Sequence, residues 1–282
     1  MQTVTAESWT HLQELLFEGS WNESINRHRA PFAYRGSSNA DFELNTSLMR
    51  LGGPYQDLEK HLLRNFRKYA HNIEENTANS IWNWLTIAQH HGLPTRLLDW
   101  SYSPLVALHF ATANLEAFEQ DGAVWKVNYQ DCVAQLPRKL RMALDEVGGN
   151  VFTVDILADT VTSLEEFDLM SREDFFIFLE PQSLDARIVN QFALFSIASN
   201  ATLSLDTLLA QTRVSTHKIV IPKEIKWEVR DRLDQSNITE RVLFPGLDGL
   251  SAWLKRHYAP VVPSTGVATP DNTLPFPNPK TP

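Results

Sequence analysis

Within residues 80–110, "SIWNWLTIAQHHGLPTRLLDWSYSPLVALHF", one helix has to stop and another has to start a dozen positions apart. Ser80 is suited to cap a helix in which Ile81, Trp84, Leu85 and Ala88 share a face, and Gly92 stops it. Ser103 followed by Pro104 specifies the next start, with proline at the first helical position where its missing N–H costs nothing. The stretch between, "TRLLDW", has length for a short strand only. A helix–strand–helix order this tightly punctuated points to a mixed architecture.

Other segments extend the pattern. Thr5 is placed to cap a short helix in which Trp9, Leu12, Leu15 and Leu16 share a face, and "FAYRG" reads as a buried strand ending at Gly36. "GGP" opens a helix from Tyr55 to Asn76 with Leu58, Leu62, Phe66, Tyr69 and Ile73 as its apolar stripe. "GAVWKVNY", "FFIFLEP", "FALFSIAS" and "THKIVIP" read as strands, with a turn of helix at "DARIVN". "KEIKWEVRDRLDQSNI" reads as an amphipathic helix through Ile225, Val229 and Leu233, and "DGLSAWLKRHY" closes the ordered part. Residues 130–175 suggest short helices and loops. From Ala259 onward the chain holds seven of its fifteen prolines and almost no large apolar groups, too little to build a core. The expectation is an α+β fold: a single domain with a central mixed or antiparallel sheet flanked by helices. An N-terminal helical segment (1–29) precedes a main domain (30–258), and a disordered proline-rich tail (259–282) follows.

At 282 residues, with 43% hydrophobic and 21% charged residues, the chain can bury a large core without staples. Its single cysteine, Cys132, excludes an intramolecular disulfide and suits a reducing cytoplasm. The first residues lack the basic and apolar regions of a signal peptide, and no apolar run is long enough to span a bilayer, so a cytoplasmic protein without a membrane partner is expected. A net charge of −9 disfavours non-specific nucleic-acid binding, although a local basic patch can still serve that purpose.

Several chemistries drop out. His90 and His91 are adjacent, so on a helix they point about 100° apart, and no HExxH pair is present; no metal is expected. Cys132 has no nearby histidine, and GxSxG, GxGxxG and GxxxxGK are all missing. Arg35 remains interesting: a guanidinium at a strand end, beside a glycine and two serines, suits phosphate or carboxylate, and equally suits a structural salt bridge. Arg96 and Asp99 could pair, or Asp99 could cap the next helix or orient His91; a structural role is expected for it. Trp100 and Tyr102 fit core packing as well as base stacking. Arg187 and Gln191 share one face of a helical turn, where the Gln amide could hold a ribose hydroxyl or satisfy buried backbone.

"FAYRG" (32–36), "AQHHGLPTRLLDWSYSPLVALHFA" (88–111), "RIVNQFALFSI" (187–197) and "LFPGLDGLSAWL" (243–254) together resemble the FRG-domain family, named for the motif that here is Tyr34-Arg35-Gly36. The resemblance spans nearly all of 30–258. Its members often occur in prokaryotic and phage-related genomes, which implies a role in phage–host conflict. The block order is more distantly similar to ADP-ribosyltransferases, implying an ADP-ribosyltransferase-like fold and NAD as cofactor. On that likeness Arg35 anchors the pyrophosphate, the segment Thr95 to Ala111 lines the nicotinamide pocket, and Gln191 holds a ribose hydroxyl. His91, Arg96 and Tyr102 join Arg35 in cofactor binding, and Glu180 stands nearest to the acid/base glutamate. A cleft is expected between the strand ending at Arg35, residues 90–103 and the turn at 187–191. Its partner is a small nucleotide in this reading. In the rival reading the domain is a non-catalytic sensing or interaction module, and its partner is a protein.

Overall fold

The chain forms ten strands among the residues that the structure, a computed structural model, describes: 1–70, 80–183 and 185–260. They are β1 (Gln2–Thr5), β2 (Trp21–Asn22), β3 (Arg27–His28), β4 (Phe32–Ser37), β5 (Leu97–Ser101), β6 (Gly122–Asn128), β7 (Phe152–Thr153), β8 (Phe176–Glu180), β9 (Ala193–Ala198) and β10 (Thr216–Ile221). Eight form one sheet in the order β1-β10-β6-β4-β5-β9-β8-β7, and β2 and β3 make a separate ribbon. The sheet is mixed. Its two parallel pairs, β1 with β10 and β7 with β8, sit at its two edges, and every pair between them is antiparallel. Helices flank it, as expected of an α+β fold.

The pleat sorts the core. Leu98, Trp100, Phe176, Phe178 and Leu194 join Ala33, Trp125 and Val127 in a cluster that runs across one face of the sheet. On the other face the core is divided. Leu97, Ile177, Leu179, Phe195 and Ile197 pack under the helices Ile81–His90, Arg138–Val147 and Val154–Thr160. Phe32, Tyr34, Val124, Ile219 and Ile221 pack under Trp9–Phe17, Pro104–Thr112 and Lys226–Gln235. The division falls between β4 and β5, which share a single register pair, Tyr34 with Ser101. Six residue pairs tie β4 to β6 on its other side. The sheet therefore parts along one line through its centre.

The local signals around that line act as read. Ser80 Oγ accepts from Asn83 N at 3.1 Å, and Gly92, at φ +80°, turns the chain so that Leu93 N reaches Ala88 O at 2.9 Å. Ser103 caps the helix that Pro104 begins. Elsewhere the structure corrects the reading. Ser8 caps the first helix, because Thr5 belongs to β1, which pairs in parallel with β10 and makes the N-terminal segment part of the sheet. The inward face of the helix Tyr55–Ala70 is rotated from the expected stripe: Phe66 packs on the core as expected, but Glu59 and Leu63 are buried while Tyr69 is 72% exposed. Ile73 and the rest of that expected helix to Asn76 lie outside the described residues, as does the tail from 261. On Lys226–Gln235 the buried face holds Lys226 and Arg230 beside Val229 and Leu233. Among the described residues no helix is long and apolar enough to cross a membrane.

Candidate functional site

Where β4 and β5 part, a cleft of about 820 Å³ opens. Arg35 comes to it from β4, Asp99 and Ser101 from β5, His90 and Leu93 from the end of the preceding helix, and Arg187 and Gln191 from the turn before β9. The loop after β4 brings Phe42, and the short helix Ser47–Leu51 that follows brings Arg50. The segments expected to meet do so here.

The sequence Tyr34-Arg35-Gly36 is explained by three neighbours. Tyr34 is buried and donates its hydroxyl to Leu16 O at 3.0 Å, tying β4 to the first helix. A Cβ on Gly36 would sit 1.9 Å from Ala107 O and 2.6 Å from Ala111 N, so only glycine lets the helix Pro104–Thr112 lie on the strand. Arg35, between them, projects to the opposite face of β4 and reaches β5. Its Nη1 donates to the Asp99 carbonyl at 2.5 Å and lies 3.9 Å from Asp99 Oδ2. Burial pushes the Arg35 pKa down; Asp99 opposes that shift and Arg50 adds to it. One contact uses one of five guanidinium N–H groups, so Arg35 keeps donors for a ligand.

Two further arginines line the cleft without a carboxylate within salt-bridge reach among the described residues. Arg50 donates to Asn45 O, and Arg187 lies over the Phe244 ring at 5.1 Å. Gln191 donates its amide Nε2 to Leu243 O at 2.9 Å, and its backbone carbonyl accepts from Ser101 Oγ at 2.7 Å. Its neighbour Asn190 grips Val242 O at 2.7 Å, so the pair clamps this turn to the helix Glu240–Leu243. Phe42, 57% exposed, and Phe110, 36% exposed, offer ring surface at the rim.

The other wall is held by side chains. Gln89 accepts from Thr95 Oγ1 at 2.6 Å and donates to Asp99 Oδ2 at 3.0 Å. Asp99 thus neither pairs with Arg96 nor caps the following helix, whose cap is Ser103. His90 Nε2 meets Asp185 Oδ2 at 2.6 Å, which links the helix Ile81–His90 to the turn carrying Arg187. Burial works to raise the Asp185 pKa, but the Ile188 N–H and His90 outweigh it and hold the carboxyl low. His91 is exposed, packs edge-on against His90, and does not line the cleft.

Besides His91, three of the expected residues lie apart from the cleft. Arg96 is buried, with Nε 2.8 Å and Nη2 2.5 Å from the Glu59 carboxylate and Nη1 bonded to Asp168. Burial disfavours its charge, yet the two carboxylates outweigh that and raise its pKa. It joins the helix Tyr55–Ala70 to the segment after Leu164–Asp168. Tyr102 donates to Glu180 Oε1 at 2.6 Å, with Tyr129 edge-on at 5.8 Å. Burial and then Glu180 push the Tyr102 pKa up, so it stays a neutral donor. Neither Tyr102 nor Glu180 is among the cleft's lining residues. Trp100 is core, its Nε1 donating to Ser196 Oγ at 2.8 Å. Sequence reading singled out none of Arg50, Phe42, Phe110 and Gln89, although Gln89 and Phe110 lay inside the motif of residues 88–111.

Comparison with curated proteins and with solved structures returns no match. A comparison with family models does: the strand that carries Arg35, the short helix with Arg50, and the helix–strand–helix unit that supplies Gln89 and Asp99 fall inside the matched region. Residues 30–120 match the FRG domain.

Proposed function

We propose that the cleft is a binding site for a nucleotide of the NAD class, used in an ADP-ribosyltransferase-like way. The observation that carries this reading is the set of three arginines, Arg35, Arg50 and Arg187, on one cleft with two of them unpaired by carboxylates. Guanidinium groups that no protein anion neutralises suit a pyrophosphate, which accepts their N–H groups in pairs. The volume suits a ligand larger than a mononucleotide. Gln191 would hold a ribose hydroxyl through its amide oxygen, the end not spent on Leu243. Transfer through Glu180 would draw on a carboxylate seated against Tyr102, so binding is the part of the reading that the geometry supports best. An effector in phage–host conflict that draws on a cellular dinucleotide fits this proposal.

The test is calorimetric titration with NAD of the wild type, Arg187→Ala and Arg35→Ala. Arg187→Ala removes a guanidinium whose main contact is one ring face, so the fold should survive. Saturable binding weakened about tenfold or more in that variant is expected, since charge-assisted contacts to phosphate are worth about 1.5–3 kcal/mol. A folded wild type that shows no binding would favour the sensing or interaction module.

A further inference from the structure

We propose that the cleft selects the oxidised, cationic form of the dinucleotide, and that Asp99 is the residue that reads that charge. This inference rests on the NAD-class reading above and goes beyond it in naming which redox form is held and by what.

Asp99 is anomalous as a strand residue. Its neighbours Leu97, Leu98, Trp100 and Ser101 are each at most 4% exposed, whereas the Asp99 side chain is 63% exposed. Aspartate is among the poorer strand formers, and at this position it fills no core space. It can stand there because β4 and β5 diverge beyond Tyr34 and Ser101, leaving its face of the sheet open. The carboxylate is also held in place. Thr95 fixes the Gln89 amide, Gln89 holds Oδ2, and among the described residues Oδ1 has no protein donor.

Charge across the cleft narrows the ligand. Arg35, Arg50 and Arg187 face Asp41, Glu43 and Asp99, three of each sign. A ligand that is only anionic, such as a nucleoside triphosphate, gains from the arginines and is repelled by the carboxylates. A ligand that joins a pyrophosphate to a flat cation satisfies both sets. Oxidised nicotinamide dinucleotide is such a ligand: its pyridinium is planar and positive, suited to a carboxylate and to the exposed faces of Phe42 and Phe110. Reduction removes the charge and leaves the phosphates unchanged. ADP-ribose lacks the ring altogether.

The experiment is calorimetric titration of the full chain with NAD⁺, NADH, ADP-ribose and ATP, repeated on Asp99→Asn. Asparagine keeps the shape and a partner for Gln89, and Tm confirms the fold. The wild type should bind NAD⁺ about tenfold more tightly than NADH or ATP, the scale of one partly solvated ion pair. Asp99→Asn should bring NAD⁺ to the affinity of NADH without weakening NADH. Equal wild-type affinity for NAD⁺, NADH and ADP-ribose would overturn the inference and leave the NAD-class reading standing. A preference for NAD⁺ that survives Asp99→Asn would overturn the assignment to Asp99. If the folded wild type binds none of the four, the NAD-class reading fails and this inference goes with it. Because the wild-type comparison alone tests charge selection, a variant that fails to fold does not protect the proposal.

Discussion

Arg35 Nη1 donates to the backbone carbonyl of Asp99 at 2.5 Å, across the line where the two halves of the sheet part. The two readings of this arginine, anion binder and structural tie, are therefore compatible. One N–H stitches β5 to β4, and the rest of the fork faces the cleft. Arg35→Met keeps the packing of the stem and loses the stitch. A charge-assisted hydrogen bond of this kind is worth about 1.5–3 kcal/mol, and for a chain of this size each kcal/mol moves Tm by roughly 2–4 °C. Thermal unfolding should show a loss of several degrees. An unchanged Tm would mean that the tie is dispensable and that Arg35 serves ligand alone.

Gly36→Ala tests the other half of the motif. Its methyl would fall 1.9 Å from Ala107 O, a backbone atom inside a helix, so the helix Pro104–Thr112 must lift off the strand. Overpacking of this sort costs about 1–3 kcal/mol or more, and here it also widens the wall of the cleft. The expected outcome is a lowered Tm together with lost ligand binding. A variant with native Tm would show that the helix is free to move.

How far the sequence could carry this argument depends on what each signal rests on. The caps at Ser80 and Ser103, the stop at Gly92 and the strand between them are local, and they were legible. So was the meeting of Arg35 with the turn at Arg187 and Gln191, through the resemblance. The buried charges were not. Arg96 finds Glu59 and Asp168 at separations of 37 and 72 residues, and Glu59 lies within a helix whose neighbouring leucines suggested another inward face. Lys226 is hidden for a similar reason. It reads as the polar face of an amphipathic helix, but its Nζ caps Ser38 O at 2.8 Å and Ala117 O at 2.7 Å, holding the loop that follows Arg35 and Gly36. Nor does any period in the sequence show that β4 and β5 share one register pair, the fact that opens the cleft.

The Arg96 network yields a prediction of non-additivity. Arg96 and Glu59 have side chains only 6% and 5% exposed; Arg96 has Asp168 as a second counterion, whereas deleting Arg96 leaves the Glu59 carboxylate buried without one. Arg96→Met should cost about 3–5 kcal/mol by denaturant unfolding. The double variant Glu59→Met with Arg96→Met removes both charges and should cost less, because Asp168, with a third of its side chain exposed, can turn to water. A double variant worse than the single one would show that the pair stabilises the fold by more than its desolvation costs.

His109 gives the chain a pH dependence whose sign is fixed. It is fully buried on the helix Pro104–Thr112, with Nδ1 3.1 Å from Arg230 Nη1 and Nε2 unpartnered. Burial, and then Arg230 and Arg256, lower its pKa to about 3; Glu240 and Asp234 oppose them and are outweighed. Unfolding restores the ordinary histidine value near 6.5. Between those two values the unfolded chain binds a proton that the folded chain refuses. The stability that His109 contributes is therefore present above about pH 6.5 and is lost as pH falls from there toward 3. Over the step from pH 7 to pH 5 the loss is about 2 kcal/mol, before most carboxylates titrate. His109→Asn puts an amide oxygen where Nδ1 meets Arg230 and cannot take up the proton. Denaturant midpoints of the wild type should fall over that interval, and those of the variant should fall less, since His217, also lowered by burial, keeps its share. Parallel curves for the two proteins would place the acid sensitivity elsewhere.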